Sequence, residues 1–160
     1  MTASRTAVAA LALSAAGLIG IAVSEGWEPV ARPPVPGDVP TGGFGSTRAE
    51  SGPMPAGERI DPVRGLVLLK RDASEAERIV KRCANVPMHQ HEFDAAVSLA
   101  YNIGGKAFCG STVARRFNAG DYEGACNAFL MWDKFRGRTL PGLVARRERE
   151  RLLCLGVSGE

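Results

Sequence analysis

One carboxylate stands out because of its position in the chain. Glu25 follows an uncharged stretch and precedes a segment rich in glycine and proline, so a helix meets a hairpin or loop at this residue. A carboxylic acid at such a junction can project into a cleft and protonate the leaving oxygen of a glycosidic bond, while a second group handles the water. Glu25 is therefore a candidate general acid. Its position is equally consistent with a charge that ends a membrane segment.

The two histidines do not predict a metal site. His89 and His91 are the only histidines in the chain, and a zinc-dependent enzyme would need at least a third ligand from elsewhere. We interpret them as the polar start of a helix. No metal and no cofactor is expected.

The four cysteines predict structural disulfides. They form no CxxC pair, which argues against a zinc ribbon or a thioredoxin-type site. Four buried free thiols are the alternative, and disulfides are favoured because the N-terminus described below leads to an oxidising compartment. Of the three possible pairings we favour Cys83 with Cys109, across the central helix region, and Cys126 with Cys154, between the fifth helix and the last.

Charge excludes one class of partner. The 160 residues include 20 basic and 17 acidic ones, a net charge of +3, and the two signs are interleaved, so nucleic acid is not an expected partner. The run from Arg146 to Arg151 alternates in sign, as solvated helix faces do. We interpret this run mainly as a helix surface. The length allows one domain with a hydrophobic core.

The N-terminal segment predicts membrane insertion. Residues 6–23 contain no charge, and eighteen residues are just enough to span a bilayer. Only seven of them are Leu, Ile or Val, so insertion is weak, and Arg5 favours an orientation with the N-terminus inside and the rest outside. We therefore divide the chain into an anchor, 1–24, and a folded domain, 25–160. A cleaved signal peptide is the alternative, since small residues surround Ser24.

The next segment predicts a small β element. Between Gly26 and Gly57 lie seven prolines and seven glycines, a density that excludes a long helix. A flexible tether would have such a composition. However, the glycines that flank Phe44 have the spacing of tight turns, which favours a hairpin.

Helical signals dominate the remainder. Asp61-Pro62 and Asp72 each resemble a helix start, which predicts two short helices that end near Cys83. A central core helix is predicted from about Gln90 to Gly104, with Phe93, Val97, Ala100 and Tyr101 on one face. Three further helices are predicted: one from near Ser111, one from Asp121 with Ala125, Phe129 and Trp132 inward, and one from about Pro141 to Leu155.

Several of these motifs occur in an order that resembles a known family. Ser24-Glu25-Gly26-Trp27, Pro40-Thr41-x-Gly-Phe-Gly-Ser-Thr, Gln90-x-Glu-Phe-Asp-Ala, Ala100-Tyr101-Asn102-Ile103-Gly104 and Pro141-Gly142-Leu143 before Arg146-Arg147 are similar to the phage-type lysozymes, the endolysin family that includes the T-even phage lysozyme. The weak outward-directed segment before Glu25 resembles the signal-anchor-release endolysins. The resemblance implies an α+β fold, mostly α, with a hairpin lobe, a helical lobe and an N-terminal membrane-inserting helix.

The resemblance also implies roles for individual residues. Glu25 takes the position of the general acid, and Thr41 that of a threonine which helps to hold the attacking water. The usual second carboxylate falls on Pro34 or Val35, which cannot act as a base, so the nearby Asp38 is either its substitute or a turn residue.

Three more residues match the family's cleft. Tyr101 and Asn102 are expected to line it, although Tyr101 is also compatible with the core. Arg146 matches an arginine near the acid and is expected to pair with Glu25 or contact the glycan.

The implied activity is hydrolysis of the β-1,4 bond between N-acetylmuramic acid and N-acetylglucosamine in peptidoglycan, which lyses the host. A lytic transglycosylase, or a membrane-anchored wall-binding protein without catalysis, are the alternatives. The protein is expected first in the host inner membrane, with residues 6–23 spanning it, and then in the periplasm as a monomer after a phage holin collapses the membrane potential.

Overall fold

The computed structural model describes residues 4–157, which form two compact units. One unit comprises the chain up to Gly17 together with the chain from Glu75 onward, and the other comprises Leu18–Ser74. This division differs from the predicted one, which separates an anchor, 1–24, from a folded domain, 25–160. The predicted division concerns a membrane-inserted state and stays a prediction.

The Leu18–Ser74 unit contains the predicted β element. Its elements are the end of α1 (Ala15–Glu25), strands β1 (Glu28–Arg32) and β2 (Thr41–Gly43), and the first half of α2 (Pro62–Cys83). The two strands are antiparallel, and Glu28 pairs with Gly43 while Arg32 pairs with Thr41. The core of the unit is small and apolar and consists of Ala31, Ala49, Met54, Ile60 and Leu68. The segment is therefore a folded hairpin and not a tether.

The prediction of two short helices before Cys83 was wrong. One helix of 22 residues, α2, covers the whole stretch. Asp61 acts as predicted, because its carboxylate accepts hydrogen bonds from the backbone N–H groups of Val63 and Arg64. Asp72 lies inside the helix, where its carboxylate accepts a hydrogen bond from the Ser46 hydroxyl instead of capping a helix.

The larger unit is almost entirely helical. After a 3-10 turn at Val8–Ala10 its elements are α3 (Gln90–Ile103), α4 (Gly105–Cys109), α5 (Thr112–Asn118), α6 (Tyr122–Ala128), a second 3-10 turn (Phe129–Met131), the hairpin β3 (Lys134–Phe135) and β4 (Arg138–Thr139), and α7 (Pro141–Cys154). The predicted helix starts at Ser111 and Asp121 are confirmed, since both side chains act as N-caps and accept hydrogen bonds from the N–H groups of Ala114 and Gly124. The short α4 and the β3–β4 hairpin were not predicted.

Helix α3 forms the centre of this unit. Phe93, Val97 and Ala100 are buried, as the periodicity predicts, and Tyr101 is half-buried. His89 is the N-cap residue of the helix, and its backbone N–H donates a 2.8 Å hydrogen bond to the Glu92 carboxylate, which confirms its place at the polar start. In the helix that follows Asp121, Ala125 and Phe129 are buried as predicted, whereas Trp132 is half-buried.

Both predicted disulfides are present. Cys83 is bonded to Cys109 with the Cα atoms 5.2 Å apart, and Cys126 is bonded to Cys154 with the Cα atoms 5.5 Å apart. The first joins the end of α2 to the end of α4, and the second joins α6 to the end of α7. The prediction of structural disulfides over free thiols is thus confirmed.

The N-terminal segment is part of the folded structure. The backbones of Thr6 and Met88 exchange two hydrogen bonds, of 2.9 and 2.8 Å, while Val8 and Leu11 are buried. The helix in this region starts only at Ala15 and has 11 residues. Among residues 4–157 no helix is long and apolar enough to cross a membrane.

Candidate active site

Glu25 is the last residue of α1 and lies over a glycine of the hairpin. The helix ends there because Gly26 adopts a φ of 72°, a value that glycine reaches without strain. The Glu25 carboxyl contacts Gly45 so closely that a Cβ atom at position 45 would lie 2.7 Å from Oε2 and 3.2 Å from Cδ. The side chain is half-buried. The predicted acid is thus packed against the hairpin rather than extended into bulk water.

The hairpin segment under this carboxyl is a tight turn. Gly42 and Ser46 exchange two backbone hydrogen bonds, of 3.0 and 2.9 Å. Gly45 lies within this turn at a φ of 85°, which disfavours any other residue. A Cβ atom on Gly42 would overlap Ile60 Cδ1, so the glycine at this position lets Ile60 approach the strand.

Trp27 fixes the chain immediately after the acid. Its ring lies beside Phe44, with the ring centroids 5.1 Å apart. The same ring packs against Gly65 of α2, where a Cβ atom would lie 2.3 Å from Cζ3. The residues on both sides of Gly26 are therefore held by the hairpin and by α2.

Thr41 and Asp38 belong to the same compact unit as Glu25. Thr41 is the first residue of β2, and its hydroxyl donates a hydrogen bond of 3.3 Å to the Val39 carbonyl. Asp38 lies in the connection between the strands, where its backbone N–H donates a 3.1 Å hydrogen bond to the Val35 carbonyl. Asp38 is thus in a turn, as one of its two interpretations predicts, with a half-buried side chain.

The other predicted cleft residues lie in the larger unit. Tyr101 and Asn102 are in the last turn of α3, where Asn102 is exposed. The Asn102 side-chain oxygen accepts a hydrogen bond of 2.9 Å from Nη2 of Arg147. This contact holds the orientation of the amide group from α7.

The interpretation of the charged run in α7 as mainly surface was wrong. Arg146, Arg147 and Glu150 are 5%, 0% and 5% exposed. Glu150 accepts hydrogen bonds from Arg146 Nε at 3.1 Å and from the Ser98 hydroxyl at 2.7 Å, and its Oε2 lies 3.0 Å from Arg147 Nε. Residues three and four positions apart lie on one helix face, so the spacing of these groups indicated a shared face. The alternation of charge along the run led instead to the surface interpretation.

The predicted residues thus divide into two groups. Glu25, Thr41 and Asp38 share the hairpin unit, and Tyr101, Asn102 and Arg146 share the helical unit. Gly45, Arg147 and Glu150 were not predicted from the sequence as residues of the site. Of these, Gly45 was recognisable only as one of several turn glycines, because its contact with Glu25 joins residues that are distant in sequence.

Comparison with known proteins identifies the family of this chain. The family model described as phage lysozyme matches residues 22–150. An endolysin of Salmonella phage P22 is 39% identical over 118 residues, which cover 73% of this chain and 80% of that protein. A SAR-endolysin of Pseudomonas phage phiKMV is 33% identical over 156 residues, covering 95% of this chain and 92% of its own.

A solved structure shows the same fold. The endolysin from Escherichia coli O157:H7 phage FAHEc1 superimposes with a TM-score of 0.83 at 33% sequence identity, and the match covers 94% of this chain and 98% of that one. The family model, the relatives and the structure all point to one group. The chain therefore belongs to the phage lysozyme family.

Proposed function

We propose that this protein is an endolysin that hydrolyses the β-1,4 bond between N-acetylmuramic acid and N-acetylglucosamine in peptidoglycan, with Glu25 as the general acid. The observation that supports this role is the contact of the Glu25 carboxyl with Gly45. A carboxyl that is packed against backbone is held in one orientation, which proton donation to a bound substrate requires. Glu25 gives a proton to the leaving glycosidic oxygen.

We propose that two residues of the hairpin bind and activate the attacking water. The Thr41 hydroxyl donates its own proton to the Val39 carbonyl, so its oxygen presents lone pairs that accept a hydrogen bond from a water molecule. Asp38 takes the proton that this water loses as its oxygen adds to the anomeric carbon. Thr41 is expected to contribute more than Asp38, because it occupies the family position and Asp38 only lies nearby.

The catalytic assignment is tested on purified cell walls. Glu25→Gln should lower the rate about 10²- to 10⁴-fold, the usual contribution of general acid catalysis. The matched control is Glu28→Gln, the same change three residues later on a side chain paired with exposed Arg32, which should retain activity. Thr41→Ala should lower the rate strongly and Asp38→Asn less.

Each result has a distinct meaning. Full clearing by Glu25→Gln would defeat the general-acid assignment, and no clearing by the parent protein would favour a wall-binding role. Mass spectrometry of the released fragments separates the two glycan-cleaving reactions, since anhydro ends would identify a lytic transglycosylase. If Asp38→Asn alone were inactive yet folded, Asp38 would contribute more to catalysis than Thr41, contrary to the ranking proposed here.

We also propose that residues 6–23 first span the host inner membrane, with the N-terminus inside, and later leave it for the periplasm, where the protein acts as a monomer. Collapse of the membrane potential by a phage holin is the proposed trigger. The SAR-endolysin relative supports this proposal, and so do the contacts that the segment makes in the folded domain. The division into residues 1–24 and 25–160 describes the tethered form.

In the folded domain, these contacts replace the bilayer as the environment of the released segment. The N–H of Leu13 donates a 3.0 Å hydrogen bond to Glu77, and the N–H of Ser14 donates one of 3.1 Å to Asp94. Arg5 forms a 2.8 Å ion pair with Glu92. A segment inside a bilayer cannot make these contacts, so insertion and folding exclude each other.

The release proposal is tested by strengthening the anchor. Ala12, Ala15 and Ala16 are exposed in the folded structure, so leucine at all three positions favours the bilayer without a clash in the domain. Each leucine contributes about 0.3–0.6 kcal/mol to insertion. We expect more protein in the membrane fraction and later lysis. Undiminished lysis, or a mature N-terminus at Glu25, would overturn release of an intact anchor.

A further inference from the structure

The position of the Glu25 carboxyl depends on the backbone of Gly45. A Cβ atom at position 45 would lie within 3.4 Å of three atoms of the Glu25 side chain, Oε2, Cδ and Cγ. The carboxyl therefore packs directly on the glycine Cα, and a displacement of the turn by an ångström would leave this side of the acid open to water.

The next residue ties the turn to α2. The Ser46 side chain is almost fully buried, with 1% of the residue exposed. Its hydroxyl donates a hydrogen bond of 2.6 Å to Asp72 Oδ2. Since Gly45 and Ser46 are adjacent, this hydrogen bond limits how far the glycine can move.

Asp72 is itself held in place by its neighbour. Arg71 Nε donates a 2.8 Å hydrogen bond to Asp72 Oδ1. The other two nitrogens of the same guanidinium donate to the carbonyls of Ala49 and Arg48, at 2.9 and 2.8 Å. One turn of α2 thus holds the hairpin at residues 46, 48 and 49.

We infer that Ser46 and Asp72 are positioning residues for the general acid, acting on Glu25 through the backbone of Gly45. Neither is expected to contact the substrate. Their hydrogen bond keeps the turn against the carboxyl, which fixes its orientation and limits its hydration. This inference rests on the proposed function, in which Glu25 donates the proton.

The direct test is Ser46→Ala. Geometry errors of about 1 Å reduce enzymatic rates about 10²-fold, and a partly released turn should lower the maximal rate on cell walls about 10-fold. The half-saturating wall concentration should stay within about twofold, because no substrate contact is lost. A lower maximal rate at an unchanged half-saturating concentration is the result expected when a catalytic group is misplaced and no binding contact is lost.

A control separates positioning from stability. Asp61→Ala removes the cap of α2 in the same unit, where its carboxylate accepts from the N–H groups of Val63 and Arg64. It should lower the melting temperature to a similar degree but leave the maximal rate within about twofold of the parent's, measured at a temperature at which both variants are folded. If Ser46→Ala fails to fold, Asp72→Asn provides the milder perturbation, because its amide oxygen can still accept from Ser46 while the ion pair with Arg71 is lost.

The outcomes are distinguishable. A lower maximal rate in Ser46→Ala or Asp72→Asn, at an unchanged half-saturating concentration and absent in Asp61→Ala, supports the inference. A maximal rate like that of Asp61→Ala in both variants would overturn it. Full activity of Glu25→Gln would instead defeat the proposed function.

Discussion

The docking of the N-terminal segment predicts opposite effects for the same substitution at two glycines of α1. A Cβ atom on Gly17 would lie 2.8 Å from Leu13 Cδ1 and 2.9 Å from Asp94 Cγ, whereas one on Gly20 would have nothing within 4 Å. Asp94 cannot easily move, because Ser14 and Gln90 donate hydrogen bonds to it. Gly17→Ala therefore introduces a clash that Gly20→Ala avoids.

The size of each effect follows from these contacts. Alanine is better than glycine inside a helix by about 0.5–1 kcal/mol, so Gly20→Ala should raise the melting temperature by about 1–4 °C. At Gly17 the same gain is opposed by overpacking of about 1–3 kcal/mol. The net loss of up to about 2.5 kcal/mol should lower the melting temperature by up to about 10 °C.

Differential scanning calorimetry of the purified protein measures both shifts under one set of conditions. The two variants change the hydrophobicity of the segment equally, so a difference between them reports its packing in the folded domain. A rise in melting temperature for Gly17→Ala comparable to that for Gly20→Ala would refute the docked arrangement around Asp94.

Three further predictions concern stability. Glu150→Gln should cost about 3–5 kcal/mol, because it leaves two buried arginines without their carboxylate; an unchanged urea midpoint would contradict this. Reduction of the two disulfides should lower the free energy of unfolding by ~2–4 kcal/mol for each bond, seen as a lower melting temperature in dithiothreitol but not in a serine variant of all four cysteines. The Arg64 guanidinium, hydrogen-bonded to Glu50, lowers the pKa of this carboxyl to about 2. A carboxyl whose pKa is lowered by folding stabilises the fold at pH values above its ordinary pKa, and this stabilisation is lost as the pH falls through the lowered pKa. Glu50→Gln should thus be less stable than the parent at pH 6 and equal to it near pH 2, and a pH-independent difference would count against this ion pair.

The elements that were predicted correctly are those with local signals. The side chains of Ser111 and Asp121 accept hydrogen bonds from backbone N–H groups three residues later in the chain. The helical spacing of apolar residues in α3 matches its buried face. The disulfide pairs followed from the order of the helices that they join. The caps and the helix depend on residues close in sequence, and the disulfides had only a few possible pairings.

The failures occur where a residue's partner is distant in sequence. Asp72 resembles a helix start, but its partner is Ser46 in the hairpin, 26 positions away. Glu150 resembles a surface residue, but it binds Ser98, 52 positions away. The contact of Glu25 with Gly45 is of the same kind. Local patterns identified the proposed acid, whereas the residues that hold it in place became visible only in three dimensions.

The contacts of the first residues also set an order of events during synthesis. Leu13 and Arg5 bind partners that lie 64 and 87 positions later in the chain. At about 5–20 residues per second, a ribosome makes these partners about 3–17 s after the segment itself. During that interval Leu13 and Arg5 lack the partners that hold them in the folded domain. In the proposed tethered form, this delay gives a lipid bilayer the first opportunity to take up the segment.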